Sequence, residues 1–122
     1  DRQVQAIADF DERGFGQWEG LTADEIEAAF PEVWQAWLEE PFEVTPPEAE
    51  VFADFQTRVW AATDRLLESG EESVALVAHL GVLRLIYQHL VDGEAVFWNI
   101  DVPQGRVLLL EERDQNWQAT LL

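Results

Sequence analysis

The feature that most constrains the fold of this chain is an apolar run that ends in a histidine and is followed directly by a turn. Residues 73–79 read SVALVAH, a nearly unbroken series of β-branched and aliphatic side chains. Such a run is typical of a strand that is buried on both faces of a parallel sheet. Leu80 and Gly81 supply a turn, and the next residues, GVLRLIYQHL, predict a helix. This unit therefore predicts an α/β fold with His79 at the carboxyl end of a central strand.

Three further helices are predicted from capping and periodicity. Thr22 and Glu25 have the spacing of a capping box, which begins a helix. Pro31 breaks that helix, and a second helical piece covers residues 31–39. After a loop, apolar side chains recur at intervals of three and four from residue 48 to 68 and predict a long helix, on whose flank Asp54 and Arg58 have the spacing of an ion pair.

The remaining segments predict β-structure at the two ends of the chain. Residues 3–7 have the pattern of a short strand or an extended lead-in, and residues 105–112 and 117–122 predict two strands. The charged sequence RDQN between the last two indicates a hairpin at the sheet edge. We therefore expect a three-layer α/β/α sandwich with a mostly parallel sheet covered by helices on both sides.

Composition limits the partners and the compartment. The net charge of −18, with seven cations that are all arginine, disfavours nucleic acid and anionic membranes as partners. Cysteine is absent, which excludes thiolate metal sites and fits a cytoplasmic protein. Methionine is absent as well, so we expect the 122 residues to be one piece of a longer protein.

The histidine of the strand–turn–helix unit is the first candidate for function. His79 can donate a hydrogen bond to a phosphoryl oxygen, and the backbone N–H groups of Leu80 and Gly81 lie where a helix N-terminus attracts anions. The alternative is a histidine that only caps the strand. His89, late in the predicted helix, is interpreted as a surface or packing residue.

The acidic turn DFDERGFGQWEG, residues 9–20, supplies the second candidate. Glu12 or Glu19 could act as a general acid if burial or neighbouring negative charge favours its protonated form. The alternative is a solvated acidic loop. A metal site built from Asp9, Asp11 and Glu12 lacks the spacing of a calcium loop, so no metal is expected.

Four segments in the same order resemble the histidine phosphatase superfamily, also called phosphoglycerate mutase-like. DERGFGQWEGLTADEI resembles the family's segment around Gly-x-Trp-Glu-Gly-Leu-Thr, and FPEVWQAWLEEP resembles the helical insert that follows it. PPEAEVFADFQTRV is similar to the family's Pro-Pro-Gly-Gly-Glu-Ser stretch with its long helix, and LVAHLGVLR to its second catalytic histidine motif. The likeness implies that residues 1–122 are the C-terminal portion of one such domain, so that the sandwich is incomplete at its N-terminus.

The resemblance also implies a mechanism and assigns roles. A nucleophilic histidine takes the phosphoryl group from a small phosphate monoester, and water then releases it. Glu12 matches the family's proton donor, His79 matches its second histidine, and Leu80 and Gly81 contribute substrate-binding N–H groups, whereas Glu19 matches a structural position. No metal or organic cofactor is implied.

Departures from the family pattern shape the expectation for this chain. The Arg-His-Gly motif with the nucleophile is absent, and no histidine precedes His79. Leu80 replaces a glycine, and Ala49 and Val51 replace the Gly and Ser of the Gly-Glu-Ser stretch. We therefore expect a phosphatase of the broad-specificity or α-ribazole type that is inactive as this chain alone, with its N-terminal segment or a dimer mate as partner. The alternatives are a non-catalytic domain that binds a phosphorylated metabolite or a protein, and an acidic interaction module.

Overall fold

The computed structural model describes residues 3–122, which divide into two compact units. The smaller unit is Arg13–Thr57, and the larger unit combines the residues up to Glu12 with Arg58–Leu122. The helices are α1 (Ala23–Ala29), α2 (Pro31–Glu39), α3 (Phe52–Leu67) and α4 (Leu80–Leu90), and the strands are β1 (Leu108–Arg113) and β2 (Asn116–Leu121). Short 3-10 turns cover Ala8–Phe10, Gly16–Trp18 and Phe97–Asn99. None of the helices in residues 3–122 combines the length and the apolar character that crossing a bilayer requires.

The predicted helix signals of the smaller unit are confirmed. The Thr22 hydroxyl accepts a hydrogen bond from the Glu25 N–H, and the Glu25 carboxylate accepts one from the Thr22 N–H. This reciprocal pair satisfies two backbone donors that the first turn of α1 would otherwise leave open. Pro31 occupies the first turn of α2. The pyrrolidine ring of Pro31 disfavours a helical conformation at Phe30, so α1 and α2 are separated there.

A glycine turn docks onto backbone within the smaller unit. Gly16 has φ +56°, and a Cβ at that position would collide with the backbone of residues 47–49. The absence of a side chain lets the Gln17 N–H donate to the Pro47 carbonyl at 3.0 Å. The following Trp18 is buried and meets Trp34 and Trp37 of α2 edge-on, at centroid distances of 5.7 and 5.6 Å. The stiff Gly-x-Trp turn is therefore explained by packing inside this unit.

Helix α4 carries several of the most deeply buried side chains of the larger unit. Val82 and Leu85 are fully buried, and the Leu85 carbonyl accepts a hydrogen bond from the indole N–H of Trp60 on α3 at 2.9 Å. The Trp60 ring also stacks on His89, whose Nε2 lies 2.8 Å from an Asp64 carboxylate oxygen. His89 thus joins α4 to α3, which agrees with the packing role that its sequence position indicated.

The C-terminal hairpin is confirmed. β1 and β2 pair antiparallel, with Leu110 opposite Ala119. Asp114 and Gln115 connect them with φ values of 53° and 67°. Two consecutive positive φ values are the mark of a type I′ turn, whose twist matches that of the flanking strands.

The three-layer sandwich with a mostly parallel sheet is not formed within residues 3–122. The sheet there has two antiparallel strands, and neither residues 3–7 nor the apolar run 73–79 is a strand. A strand exists only where a neighbour completes its hydrogen-bond ladder, and residues 3–122 offer no such neighbour to this run. The coarser prediction of an α/β fold is confirmed, whereas the three-layer arrangement with a mostly parallel sheet is not confirmed in residues 3–122.

Candidate functional site

The N-terminus of α4 brings two of the predicted site residues together. His79 is the N-cap residue of α4, with an extended backbone (φ −109°, ψ 163°), and its side chain is exposed. Two residues on, the Gly81 N–H donates to a carboxylate oxygen of Glu12 at 3.1 Å. A residue 69 positions away in the chain is thereby held at the turn that His79 begins.

The close approach of Glu12 depends on the missing side chain of Gly81. A Cβ built on Gly81 would overlap the Glu12 carboxylate group. The carboxylate therefore sits against the first turn of α4, where unpaired N–H groups and the helix dipole attract negative charge. This is the position that an oxyanion of a substrate would also favour.

Contacts with α3 fix the backbone that carries Glu12. The guanidinium of Arg58 donates from Nη1 to the carbonyls of Asp9 and Asp11, both at 2.8 Å, and from Nη2 to the carbonyl of Glu12 at 3.1 Å. Arg65, two turns later, forms an exposed ion pair of 2.7 Å with the Asp9 carboxylate. Phe10 lies buried between these contacts in the sequence.

The other predicted residues have plainer surroundings. Leu80 is the first residue of α4 and is half-buried. Glu19 belongs to the smaller unit, where its side chain is exposed and its N–H closes the 3-10 turn on the Gly16 carbonyl at 3.2 Å.

A buried arginine follows Glu12 directly but belongs to the smaller unit. The Nε of Arg13 donates to the Glu50 carbonyl at 3.0 Å, and its guanidinium lies 5.1 Å from the Phe15 ring centroid and 5.6 Å from that of Phe52. Burial lowers the pKa of Arg13, and the charge of Glu50 acts in the opposite direction. A charge that is removed from water needs such partners. The contacts described for Arg13 lie within its own unit, so we assign it a role in the packing of that unit.

Residues 3–122 contain no group of three or more histidine, aspartate or glutamate side chains arranged to hold a metal ion. A depression of about 360 Å³ lies in the larger unit among α4, residues 95–102 and the hairpin. Tyr87, Asn99 and Asp101 provide polar groups in its otherwise mostly apolar lining, and none of the predicted site residues borders it.

Sequence reasoning missed the part that Arg58 plays. The four-residue spacing suggested a pair with Asp54 on the surface of α3, and it gave no indication that the guanidinium donates to three carbonyls of the acidic loop. Contacts across 46 to 49 residues leave no local signal. The only hint was the presence of an arginine in a chain with few cations.

Comparison with known proteins gives a consistent family. The model of the histidine phosphatase superfamily (branch 1) matches residues 1–122. The adenosylcobalamin/alpha-ribazole phosphatase of Escherichia coli K12 is 32% identical over 109 residues, which cover 86% of this chain and 54% of that protein. Phosphoserine phosphatase 1 of Hydrogenobacter thermophilus is 28% identical over 102 residues, covering 80% of this chain and 48% of that protein.

A solved structure agrees with these relatives. The chain is similar to the crystal structure of a protein described as an alpha-ribazole-5′-P phosphatase from Escherichia coli K-12, with a TM-score of 0.87 and 26% identity. The match covers all of this chain and 62% of the Escherichia coli chain. The chain spans about half the length of the two phosphatases that it resembles in sequence. Since the family model matches every residue, the chain belongs to the histidine phosphatase superfamily.

Proposed function

We propose that this chain carries the proton-donor half of a phosphatase site that hydrolyses a small phosphate monoester through a phosphohistidine intermediate. Glu12 is the proton donor, His79 binds a phosphoryl oxygen, and the N–H groups of Leu80 and Gly81 bind the phosphate. The nucleophilic histidine comes from an N-terminal segment of the same domain or from a dimer mate. The cytoplasm is the proposed location.

The hydrogen bond between Gly81 and Glu12 carries this proposal. It supports a shared site because it holds a carboxylate from a distant part of the chain at the helix N-terminus whose N-cap residue is His79. A helix N-terminus binds phosphate through its N–H groups and its dipole. A carboxyl group beside such a site is placed to exchange a proton with the leaving oxygen.

The reaction proceeds in two transfers. The nucleophilic nitrogen attacks phosphorus, the bond from phosphorus to the ester oxygen breaks, and Glu12 gives its proton to the departing alkoxide. Water then attacks the phosphohistidine, Glu12 takes a proton from it, and the P–N bond breaks to release inorganic phosphate. In the substrate complex a phosphoryl oxygen takes the Gly81 N–H, which frees the Glu12 carboxyl group to reach the ester oxygen.

The positive charge for this reaction has to come in part from the partner segment. Three arginines of the larger unit already have other contacts: Arg58 with the acidic loop, Arg65 with Asp9, and Arg84 with the Ile100 carbonyl at 2.8 Å. Phosphoryl transfer depends on electrostatic stabilisation of the equatorial oxygens. We propose that the segment that brings the nucleophile also brings arginine side chains. Its strands pair with residues 73–79 and complete the parallel sheet of a three-layer α/β/α sandwich.

A second candidate is a domain that binds a phosphorylated metabolite without turning it over. The observation that favours it concerns His89, the other histidine of the chain. His89 stacks on Trp60 and binds the Asp64 carboxylate, so it is engaged away from the Glu12 carboxylate. His79 is then the single histidine at the site, and it would bind phosphate without forming a covalent bond.

Activity of the gene-encoded protein tests the proposal. Phosphatase turnover is measured with p-nitrophenyl phosphate, phosphoserine and α-ribazole 5′-phosphate, for the wild type and for Glu12→Gln. The amide cannot exchange the proton, so we expect turnover to fall by about 10²- to 10⁴-fold. Glu19→Gln is the matched control, because it removes the same charge from an exposed position in the smaller unit, and its activity should stay within a few-fold of wild type.

Three outcomes would contradict this proposal. Equal losses in both variants would mean that Glu12 is the wrong carboxylate. An active wild type without an acid-labile phosphoenzyme after rapid quenching would argue against a phosphohistidine. If the gene-encoded protein binds the phosphate esters without hydrolysing them, the non-catalytic candidate is correct.

A further inference from the structure

We propose that Arg58 is a positioning residue that sets the place of Glu12 by holding the backbone of the acidic loop. Three hydrogen bonds of its guanidinium go to the carbonyls of Asp9, Asp11 and Glu12, and Glu12 is the residue whose carboxylate reaches α4. The catalytic part of this inference rests on the proposed function of Glu12, whereas its structural part does not.

The geometry of the guanidinium suits this task. Nη1 reaches two carbonyls at 2.8 Å and Nη2 reaches the third at 3.1 Å, so one planar group holds three residues of a four-residue segment. The donors of an arginine point outward in a rigid fork, and each bond from a cation to a carbonyl is stronger than a neutral one. The loop thereby gains the backbone partners that a strand or helix would otherwise give it.

The residue that holds the loop is itself rigidly held. Arg58 lies inside α3 and is half-buried, and its neighbour Val59 is completely buried. The 3-10 turn Ala8–Phe10 contains the first of the held carbonyls, that of Asp9, and Phe10 is buried as well. Arg58 therefore links a fixed helix to a fixed turn, and it determines where the Glu12 side chain begins.

Charge alone would not do the same work. Lysine keeps the charge but concentrates its donors on one nitrogen, which cannot reproduce a planar fork across three carbonyls. Arg65 offers a natural comparison, since it lies on the same helix and contacts the same loop, but it binds the Asp9 side chain and is 59% exposed. Arg65→Lys therefore alters a side-chain ion pair near the loop without releasing the backbone of the loop.

The first test is kinetic and uses the gene-encoded protein with Arg58→Lys and, as matched control, Arg65→Lys. A displaced proton donor slows the departure of a poor leaving group more than that of a good one. We expect Arg58→Lys to lower kcat for phosphoserine by about 10- to 100-fold, with KM little changed and a clearly smaller loss for p-nitrophenyl phosphate. Arg65→Lys should leave both rates near wild type.

A double-mutant cycle separates positioning from general damage. In the Glu12→Gln background, Arg58→Lys should cause no further loss, because the group that it positions is already inactive. Losses that multiply, or that are equal for both substrates, would overturn the inference. Thermal unfolding of each variant shows whether a lost activity merely reflects a lost fold.

The second test does not need activity. The 15N and 1H shifts of the Gly81 amide report its hydrogen bond to the Glu12 carboxylate. With Arg58→Lys we expect these shifts to move towards those of Glu12→Gln, whereas Arg65→Lys leaves them in place. An unmoved Gly81 amide in folded Arg58→Lys protein would refute the positioning role even if the phosphatase proposal succeeds. If the shifts move but the wild type has no phosphatase activity, the positioning role stands and the proposed function fails.

Discussion

At the residue scale, the first turn of α4 depends on the absence of a side chain at position 81. The Glu12 carboxylate fills the space that a Cβ would need, and it accepts the hydrogen bond of the same residue. A carboxylate at the end of a flexible side chain can move aside, whereas backbone cannot. Position 81 therefore controls the placement of Glu12 more than the stability of the fold.

Replacement of Gly81 tests this distinction. We expect Gly81→Ala to push the Glu12 carboxylate off the residue 81 N–H and to lower phosphatase turnover of the gene-encoded protein by about 10-fold or more. The melting temperature should change little, because alanine is a better helix former than glycine. Gly93→Ala is the control, since a Cβ there would meet its nearest atom at an ordinary 3.8 Å. Similar activities of the two variants would contradict the steric argument.

Gly16 represents the opposite case, in which backbone fills the space. Both Gly16 and Gly20 have positive φ, so alanine at either position costs about 1–2 kcal/mol of strain. Gly20 has open space around it, whereas a Cβ on Gly16 would collide with residues 47–49. We therefore expect Gly16→Ala to lower the free energy of unfolding by more than Gly20→Ala does, as measured by urea denaturation. Equal losses would mean that the loop 47–49 yields to the added methyl group.

The amino-acid sequence could indicate some residues of the candidate site but not others. His79 follows an apolar run, and Glu12 lies in a Gly-Trp motif, so both carry local signals that a family resemblance can use. Arg58 carries none, because its three acceptors are backbone carbonyls nearly fifty residues earlier. Carbonyl groups have no sequence identity, and such contacts emerge only from the folded chain.

At the scale of elements, the capping box of α1 links helix stability to pH. The hydrogen bond from the Thr22 backbone N–H, followed by that from the Thr22 hydroxyl, lowers the pKa of Glu25 below its ordinary value of 4.5. A group with a depressed folded pKa stabilises the fold above its unfolded pKa and loses that effect as pH falls through the folded pKa. The contribution of Glu25 is therefore complete at neutral pH and fades in acid, below about pH 4.5.

The difference in unfolding free energy between wild type and Glu25→Gln measures this contribution. We expect the wild type to be the more stable at pH 7 and the difference to shrink at pH 3, because the other carboxyl groups titrate alike in both proteins. Thr22→Ala should cost about 0.5–2 kcal/mol at pH 7, since it removes the cap itself. A difference between wild type and Glu25→Gln that is the same at both pH values would contradict the assigned bond.

Helices and hairpin were predictable, whereas the central strand was not. The capping box, Pro31 and the Asp114–Gln115 turn act over a few residues, so their sequence patterns suffice. The run 73–79 has strand composition but needs partners from elsewhere to form a ladder. The composition of residues 73–79 therefore indicated a β-strand, but residues 3–122 contain no neighbouring strand with which this segment pairs.

At the scale of the whole molecule, a high negative charge coexists with exposed apolar side chains. Val77 in the extended run is 96% exposed, and the net charge of the chain is −18. Exposed apolar strand segments favour association, and like charge on every copy opposes it. The balance between the two should therefore depend on ionic strength.

Sedimentation of the 122-residue chain tests this balance. Raising the salt from about 0.01 M to 1 M shortens the screening length from about 30 Å to 3 Å, and we expect self-association to increase. Val77→Glu should suppress it, because the substitution places charge within the apolar run. Val51→Glu adds the same charge in the smaller unit and should have a weaker effect. Association that is insensitive to salt or to Val77→Glu would place the contact elsewhere.

The tryptophan cluster gives the smaller unit its own optical signature. The rings of Trp34 and Trp37 stack at 5.8 Å, and Trp18 meets both edge-on. Indoles at such distances couple their strong far-ultraviolet transitions, which produces a paired circular dichroism band that isolated tryptophans lack. Loss of that band on heating therefore tracks the melting of residues 13–57 separately from the rest of the chain.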